Sequence, residues 1–194
     1  MLSRCGPRSG ERGQGVAEFA LILPLLLALV FGIYDFGRGM SANVTTTNAA
    51  REGARYLAAE ARLVPSPYGQ ACPGGTVSAP TAPSIGSAQG VAWRQLQTAS
   101  LDLTQVTMTT YWYSAALNND PGLDTPGNRS RQDVKYTCAA GGSPTAVFNT
   151  PTYVPAAGDS VVFEIAYVYR PSTPVIAQLF STITITRDTT MVLE

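Results

Sequence analysis

A carboxylate beside a long apolar run is the residue here most able to do unusual chemistry, and Glu18 is one. It stands directly before the sixteen uncharged residues from Phe19 to Tyr34. A charge at such a place is costly unless it stays at a polar boundary or meets a cation, so the question is which cation Glu18 meets. The other acidic residues are less suggestive. Asp102, Asp120, Asp124 and Glu164 are scattered over expected loops and strands without a motif. The chain has no histidine, which removes Ser-His-Asp and Cys-His catalysis and histidine-ligated zinc together. No catalytic residue is assigned. Asn118, Asp120, Gly122 and Asp124 place oxygen donors alternately around a turn, but Pro121 interrupts them and no glutamate closes the loop, so a solvated turn is expected rather than a calcium site. Cys5, Cys72 and Cys138 have no metal-ligand spacing. The expectation is no metal and no cofactor.

The elements that would position these groups begin with a membrane segment. Lys and Arg number 13, as do Asp and Glu, so the net charge is zero and no nucleic-acid partner is expected. Charged residues make up only 13% of the chain, against about 25% in soluble domains, so a membrane, a buried interface or uncharged loops must account for the rest. From Val16 to Met40 the chain reads VAEFALILPLLLALVFGIYDFGRGM. A helix over about 16–39, rising about 1.5 Å per residue, spans a hydrocarbon core of roughly 30 Å. Pro24 removes one backbone hydrogen bond and should bend it. Arg4, Arg8 and Arg12 lie before the run and Arg38 just beyond it, which predicts a cytoplasmic N-terminus and an extracytoplasmic remainder. Asp35 and Arg38, one turn apart, can pair at the outer interface.

The run RGQGVAEFALILPLLL carries Gly13, then Glu18 five residues later, then Phe19. This resembles the type IV prepilin signature. The resemblance implies cleavage between Gly13 and Gln14, and a Glu18 that meets the new N-terminal amine of a neighbouring subunit. Two opposite charges in low dielectric are expensive singly and tolerable together. Gly15 is a competing cut site that departs from the signature. The longer run to FGRGM, followed by NAAREGARYLA, is similar to TadE-like proteins of the Tad (Flp) pilus over about residues 12–60. That resemblance implies a pseudopilin whose partners are other pilins and pseudopilins, a prepilin peptidase and an inner-membrane assembly platform. Gly13, Gln14, Glu18 and Phe19 become the processing site, and Glu18 and Pro24 the subunit-assembly residues.

Beyond the membrane, Ala50, Ala54, Leu57, Ala61 and Val64 form one narrow apolar stripe, and Pro65 and Pro67 end the helix. The stripe can pack on the chain's own sheet or on neighbouring subunits. Glu52 and Arg55 can pair across one turn. Pro and Gly crowd residues 65–86, a long loop. A helix is expected over Ala88–Leu101. Strands are expected over Leu103–Tyr113, around Val134 and Tyr136 with Asp133 and Lys135 outward, and over Ser160–Arg170 with Glu164 outward. The last strand, Thr182–Leu193, should turn Ile183 and Ile185 inward. The fold class is α+β, a long N-terminal transmembrane helix continuing into a pilin-like extracytoplasmic domain with an antiparallel sheet. Its parts are a basic leader at 1–13, the transmembrane helix at 14–40, its continuation at 41–64 and the α+β domain at 65–194. Cys72 and Cys138 then share an oxidising compartment, which permits a disulfide; buried free thiols are the alternative.

Three other readings fit parts of the pattern. A secreted protein with a cleaved signal peptide would begin near Asn43, although Asp35 and Arg38 occupy the usual cleavage zone. A membrane-anchored enzyme would need two carboxylates brought into one cleft. A membrane-anchored binding domain outside any pilus would share the anchor and lack the processing.

Overall fold

The computed structural model describes residues 11–60, 88–139, 145–149, 155–179 and 181–194. Cys5, Cys72, the loop 65–86 and the stripe residues Ala61 and Val64 lie outside the described residues.

Helix α1 (Glu11–Glu60) is a single element of 50 residues, roughly 75 Å long at the usual rise per residue. It continues through Pro24. From Phe19 to Phe31 it is apolar on every face and largely exposed: Leu21 is 82% and Leu25 73% exposed. Its second half buries one face, on which Ala42, Thr46, Ala49, Ala50 and Ala54 are fully covered. The buried Thr46 hydroxyl donates back to the Ala42 carbonyl at 2.9 Å, so the apolar face carries no unsatisfied hydroxyl there. The Glu52–Arg55 pair forms at 3.7 Å on the exposed side.

The sheet follows. Helix α2 (Ala88–Thr98) precedes strand β1 (Val106–Tyr113). It stops short of Leu101 because Ser100 takes φ 55°, a left-handed turn residue whose amide bonds the Gln97 carbonyl at 3.1 Å. Strands β2 (Val134–Ala139), β3 (Thr145–Phe148), β4 (Ser160–Tyr169) and β5 (Ile183–Val192) complete one sheet, with the short helix α3 (Pro174–Leu179) between β4 and β5. The strand order is β3-β2-β1-β4-β5 and every pair is antiparallel. The α+β architecture is the expected one; β3 and α3 lie in segments whose sequence gave no separate signal.

Period-two alternation divides the strands into two faces. Val106, Met108, Trp112, Val134, Tyr136, Cys138, Val161, Phe163, Ile165 and Tyr167 face α1 and α2 and form the main core with Trp93 and Leu96. The stripe therefore packs on the chain's own sheet. Small side chains bring the α1 backbone close, closest at Gly53, where an added Cβ would fall 2.5 Å from Phe163 Cε1.

The opposite face departs from expectation. Glu164 and Asp133, expected outward, are 5% and 2% exposed. The crossing from β1 to β2 folds back over that face and covers Tyr111, Tyr113 and Val162. A strand alternation that reads as solvated cannot distinguish water from a covering loop. Ile183, expected inward, is 42% exposed because it lies at the end of the edge strand β5.

Candidate functional site

The residues expected to form a processing site lie near the start of α1. Gly13 and Gln14 are inside the helix, and an added Cβ at Gly13 or Gly15 meets nothing. Glu18 is exposed and accepts a hydrogen bond from Gln14 Nε2, one turn earlier, at 3.2 Å. Phe19 is 61% exposed. Glu18, Phe19 and Pro24 stand away from the domain, so the site is a bare apolar rod carrying one carboxylate near its start. Val16 to Tyr34 covers about 28 Å of helix, close to a hydrocarbon core of roughly 30 Å.

The rod ends where the domain grips it. Asp35 is 3% exposed. Its carboxylate accepts from the Ser172 amide at 3.2 Å and the Thr173 amide at 3.1 Å, and from the Thr173 hydroxyl. The Tyr169 hydroxyl donates to the Asp35 carbonyl at 2.9 Å. Asp35 thus ties α1 to the β4–α3 connection. The pairing expected between Asp35 and Arg38 is replaced: Arg38 donates to Ser172 Oγ and lies 6.0 Å above the Tyr34 ring. Local spacing allowed the ion pair; only the approach of the distant segment 171–173 offered better partners. The domain therefore reaches down α1 past Asp35 to Gly32, where an added Cβ would lie 3.9 Å from Ile176 Cδ1 of α3.

Removing the Asp35 carboxylate tests this junction. Asp35→Ala leaves the Thr173 amide buried without an acceptor, an omission that costs about 1–3 kcal/mol. Hydrogen exchange at the Ser172 and Thr173 amides should rise by one to two orders of magnitude, with Asp35→Asn intermediate. Unchanged exchange would mean that the two segments are held together by something else.

A second charged group, missed in the sequence, sits under the β1–β2 crossing. The Arg129 guanidinium, with its side chain 2% exposed, pairs with Asp188 and lies 3.5 Å from Glu164 Oε2. It also stacks 5.5 Å from the centroid of Tyr111. Glu164 in turn accepts from the Tyr111 hydroxyl at 3.2 Å and the Gly127 amide at 2.8 Å. Burial pushes the Tyr111 phenol up, and the Glu164 charge adds to it. Burial works against the charge of Arg129, but the Tyr113 hydroxyl and the Asp188 and Glu164 carboxylates outweigh it and raise its pKa. A fixed cation with two carboxylates holds a loop onto a sheet.

The remaining candidates separate. Asp120 caps a short 3-10 turn (Pro121–Leu123) by accepting from the Gly122 amide at 2.8 Å. Asp124 accepts from the Tyr113 hydroxyl at 3.0 Å. Asp102 caps the 3-10 turn Leu103–Gln105. Among the described residues no group of three acidic or cysteine side chains comes together as a metal site. Cys138 is 1% exposed on the core side of β2.

Residues 13–55 match the family described as TadE-like protein. The match covers the bare rod, the Asp35 junction and the small-residue stripe through Ala54 and Arg55, and it stops before the sheet. It bears out the resemblance drawn from RGQGVAEFALILPLLL and NAAREGARYLA. No curated protein and no solved structure matches the chain.

Proposed function

We propose, from the TadE-like segment at residues 13–55, that the protein is a non-catalytic minor pilin or pseudopilin taking part in Tad (Flp, type IV-like) pilus assembly. The family match suggests Tad pilus assembly in general; the specific role rests on one observation. From Phe19 to Phe31 the apolar stretch of α1 stands free of its own domain, while the same helix continues unbroken into the core. A rod of that kind can pass from a bilayer into a bundle of like helices without the domain unfolding.

In this reading the first 13 residues are a cytoplasmic leader, the span lies in the cytoplasmic membrane and the α+β domain is extracytoplasmic. A prepilin peptidase cuts between Gly13 and Gln14. Glu18, whose neighbour in the uncut chain is the Gln14 side chain, then meets the amine of an adjoining pilin and sets the stagger between subunits. Pro24 adjusts the helix for packing. The partners are other pilins and pseudopilins and the inner-membrane assembly platform. Cys72 and Cys138 form a disulfide tying the 65–86 loop to β2, which would add roughly 4 kcal/mol in the chain-entropy picture.

The junction speaks against a signal peptide cut near Asn43. Such a cut would remove Asp35 and Arg38 from their partners on 171–173 and sever α1 beside the fully buried Ala42.

N-terminal sequencing of the mature protein, from a host expressing its prepilin peptidase, is the test. A start at Gln14 is expected, with Glu18→Ala still processed but at least tenfold depleted from sheared pili. An intact Met1 would leave an anchored domain outside the pilus. A start near Asn43 would overturn the anchor altogether.

A further inference from the structure

Where α1 leaves its apolar stretch, a groove of about 680 Å³ opens between the helix and the edge strand β5. Its floor is Gly32, Phe36, Gly39 and Met40 of α1, and its wall is Ile183 and Ile185 of β5. The volume falls in the range of about 300–1,000 Å³ typical of small-molecule sites. Gly32 and Gly39 remove two side chains from the floor, and an added Cβ at either would meet only ordinary contacts at 3.9 Å. The charged group at the lower end, Asp35, is already occupied by Ser172 and Thr173. At the upper end stands an exposed cation, Arg187. Its Nε donates to Asn43 Oδ1 at 2.7 Å and one terminal nitrogen donates to the Thr186 carbonyl, a bracing that aims the guanidinium. From Gly32 to Asn43 the floor rises about 16 Å.

We infer that this groove binds one anionic phospholipid of the membrane's outer leaflet. The inference rests on the reading of α1 as a membrane anchor. Two observations select a lipid. The groove is continuous with the bilayer-facing surface: it begins at Gly32, within the uncharged run, and is flanked there by the exposed Phe36. Its polarity also follows that of a lipid, apolar at the bilayer end and cationic away from it. An acyl chain lies over Gly32 and Gly39 against Ile183 and Ile185, and the phosphate reaches Arg187. Guanidinium and phosphate suit one another as charge-assisted hydrogen-bond partners. Such a lipid would fill the space between α1 and β5 and hold the domain at a set height and rotation on the bilayer.

The test uses the full chain in nanodiscs of equal parts phosphatidylglycerol and phosphatidylcholine, released for native mass spectrometry. The wild type should retain one lipid, phosphatidylglycerol at least fivefold over phosphatidylcholine. Gly39→Trp, which fills the groove, should lose the retained lipid. Arg187→Gln should keep a lipid and lose the preference. Arg187→Gln should show the wild-type thermal transition, since Arg187 is exposed. Ile183→Trp, which fills the groove from the exposed end of β5, should lose the lipid as Gly39→Trp does, which separates filling of the groove from disturbance of the Tyr169 ring beside Gly39. Equal retention by Gly39→Trp, or a wild type that retains none, overturns the site. A dimer whose formation Gly39→Trp abolishes would give the groove to a second copy instead and equally overturn it. Carbonate extraction of membranes separates the two levels: a protein that resists extraction but retains no lipid loses only the groove, whereas one that is extracted loses the anchor as well.

Discussion

Arg129→Ala is expected to destabilise the domain by about 3–5 kcal/mol, the usual consequence of leaving a buried charge without its partner. Glu164 is 5% exposed and lies under the β1–β2 crossing, with Arg129 as its neighbouring cation. Removing the guanidinium also strips Asp188 of its ion-pair partner and takes the cation from the face of Tyr111. The intact cluster is not a large net source of stability. Arg129 Nε has no hydrogen-bond acceptor, since Glu164 Oε2 at 3.5 Å makes only an ion-pair contact. The cost therefore lies in breaking the cluster, and a compensating change should recover much of it. Arg129→Met with Glu164→Gln should be closer to wild type than Arg129→Ala alone. Chemical denaturation followed by tryptophan fluorescence reads this directly, because Trp93 and Trp112 are 4% and 1% exposed. A loss below about 1 kcal/mol, the scale of a surface pair, would show that water reaches the cluster and that the crossing is held elsewhere.

Gly53→Val should destabilise by about 3 kcal/mol or prevent folding, at the upper end of overpacking costs. An added Cβ at Gly53 would lie 2.5 Å from Cε1 and 2.6 Å from Cδ1 of Phe163. That ring cannot retreat, since Phe163 is fully buried in β4, paired on both sides with β1 and β5. The sign of the smaller change is equally informative. In an open helix Gly→Ala gains about 1 kcal/mol from propensity, so a destabilised Gly53→Ala would report the contact rather than the helix. Phe163→Leu should partly rescue it in the double variant. At Gly37, where an added carbon meets nothing, alanine should not lower the transition. Equal behaviour at 37 and 53 would mean that α1 does not lie on the sheet at this height.

The expectations that held were those carried by local pattern. An uncharged run predicts a long apolar helix because no fold of a chain this small could surround it, and it stands exposed. Period-two alternation located β1, β4 and β5 and the side of β1 and β4 that meets the helices, while on β5 Ile185 follows it and Ile183 does not. The Ala50–Ala54–Leu57 stripe identified the buried face of α1. The expectations that failed concerned polar residues whose partners come from far along the chain. Glu164 and Asp133 read as outward because alternation reports a face and not what covers it. Arg129 stands in a loop without a motif of its own, yet its carboxylates lie in β4 and β5. Asp35 had a plausible partner one turn away and took others more than 130 positions later.

By itself the sequence determined the apolar rod, the position of Glu18 at its start, the α+β class and the TadE-like character of residues 13–55. These follow from neighbour-to-neighbour chemistry: hydropathy over a turn, spacing along a helix, alternation along a strand. The tertiary structure alone decided that the domain grips α1 at Asp35, that Gly53 must remain bare and that Arg129 locks the far face. It alone also opened a groove beside β5. Each depends on segments far apart in the chain meeting at close range, where burial and unsatisfied charge set the energy and local pattern carries no information.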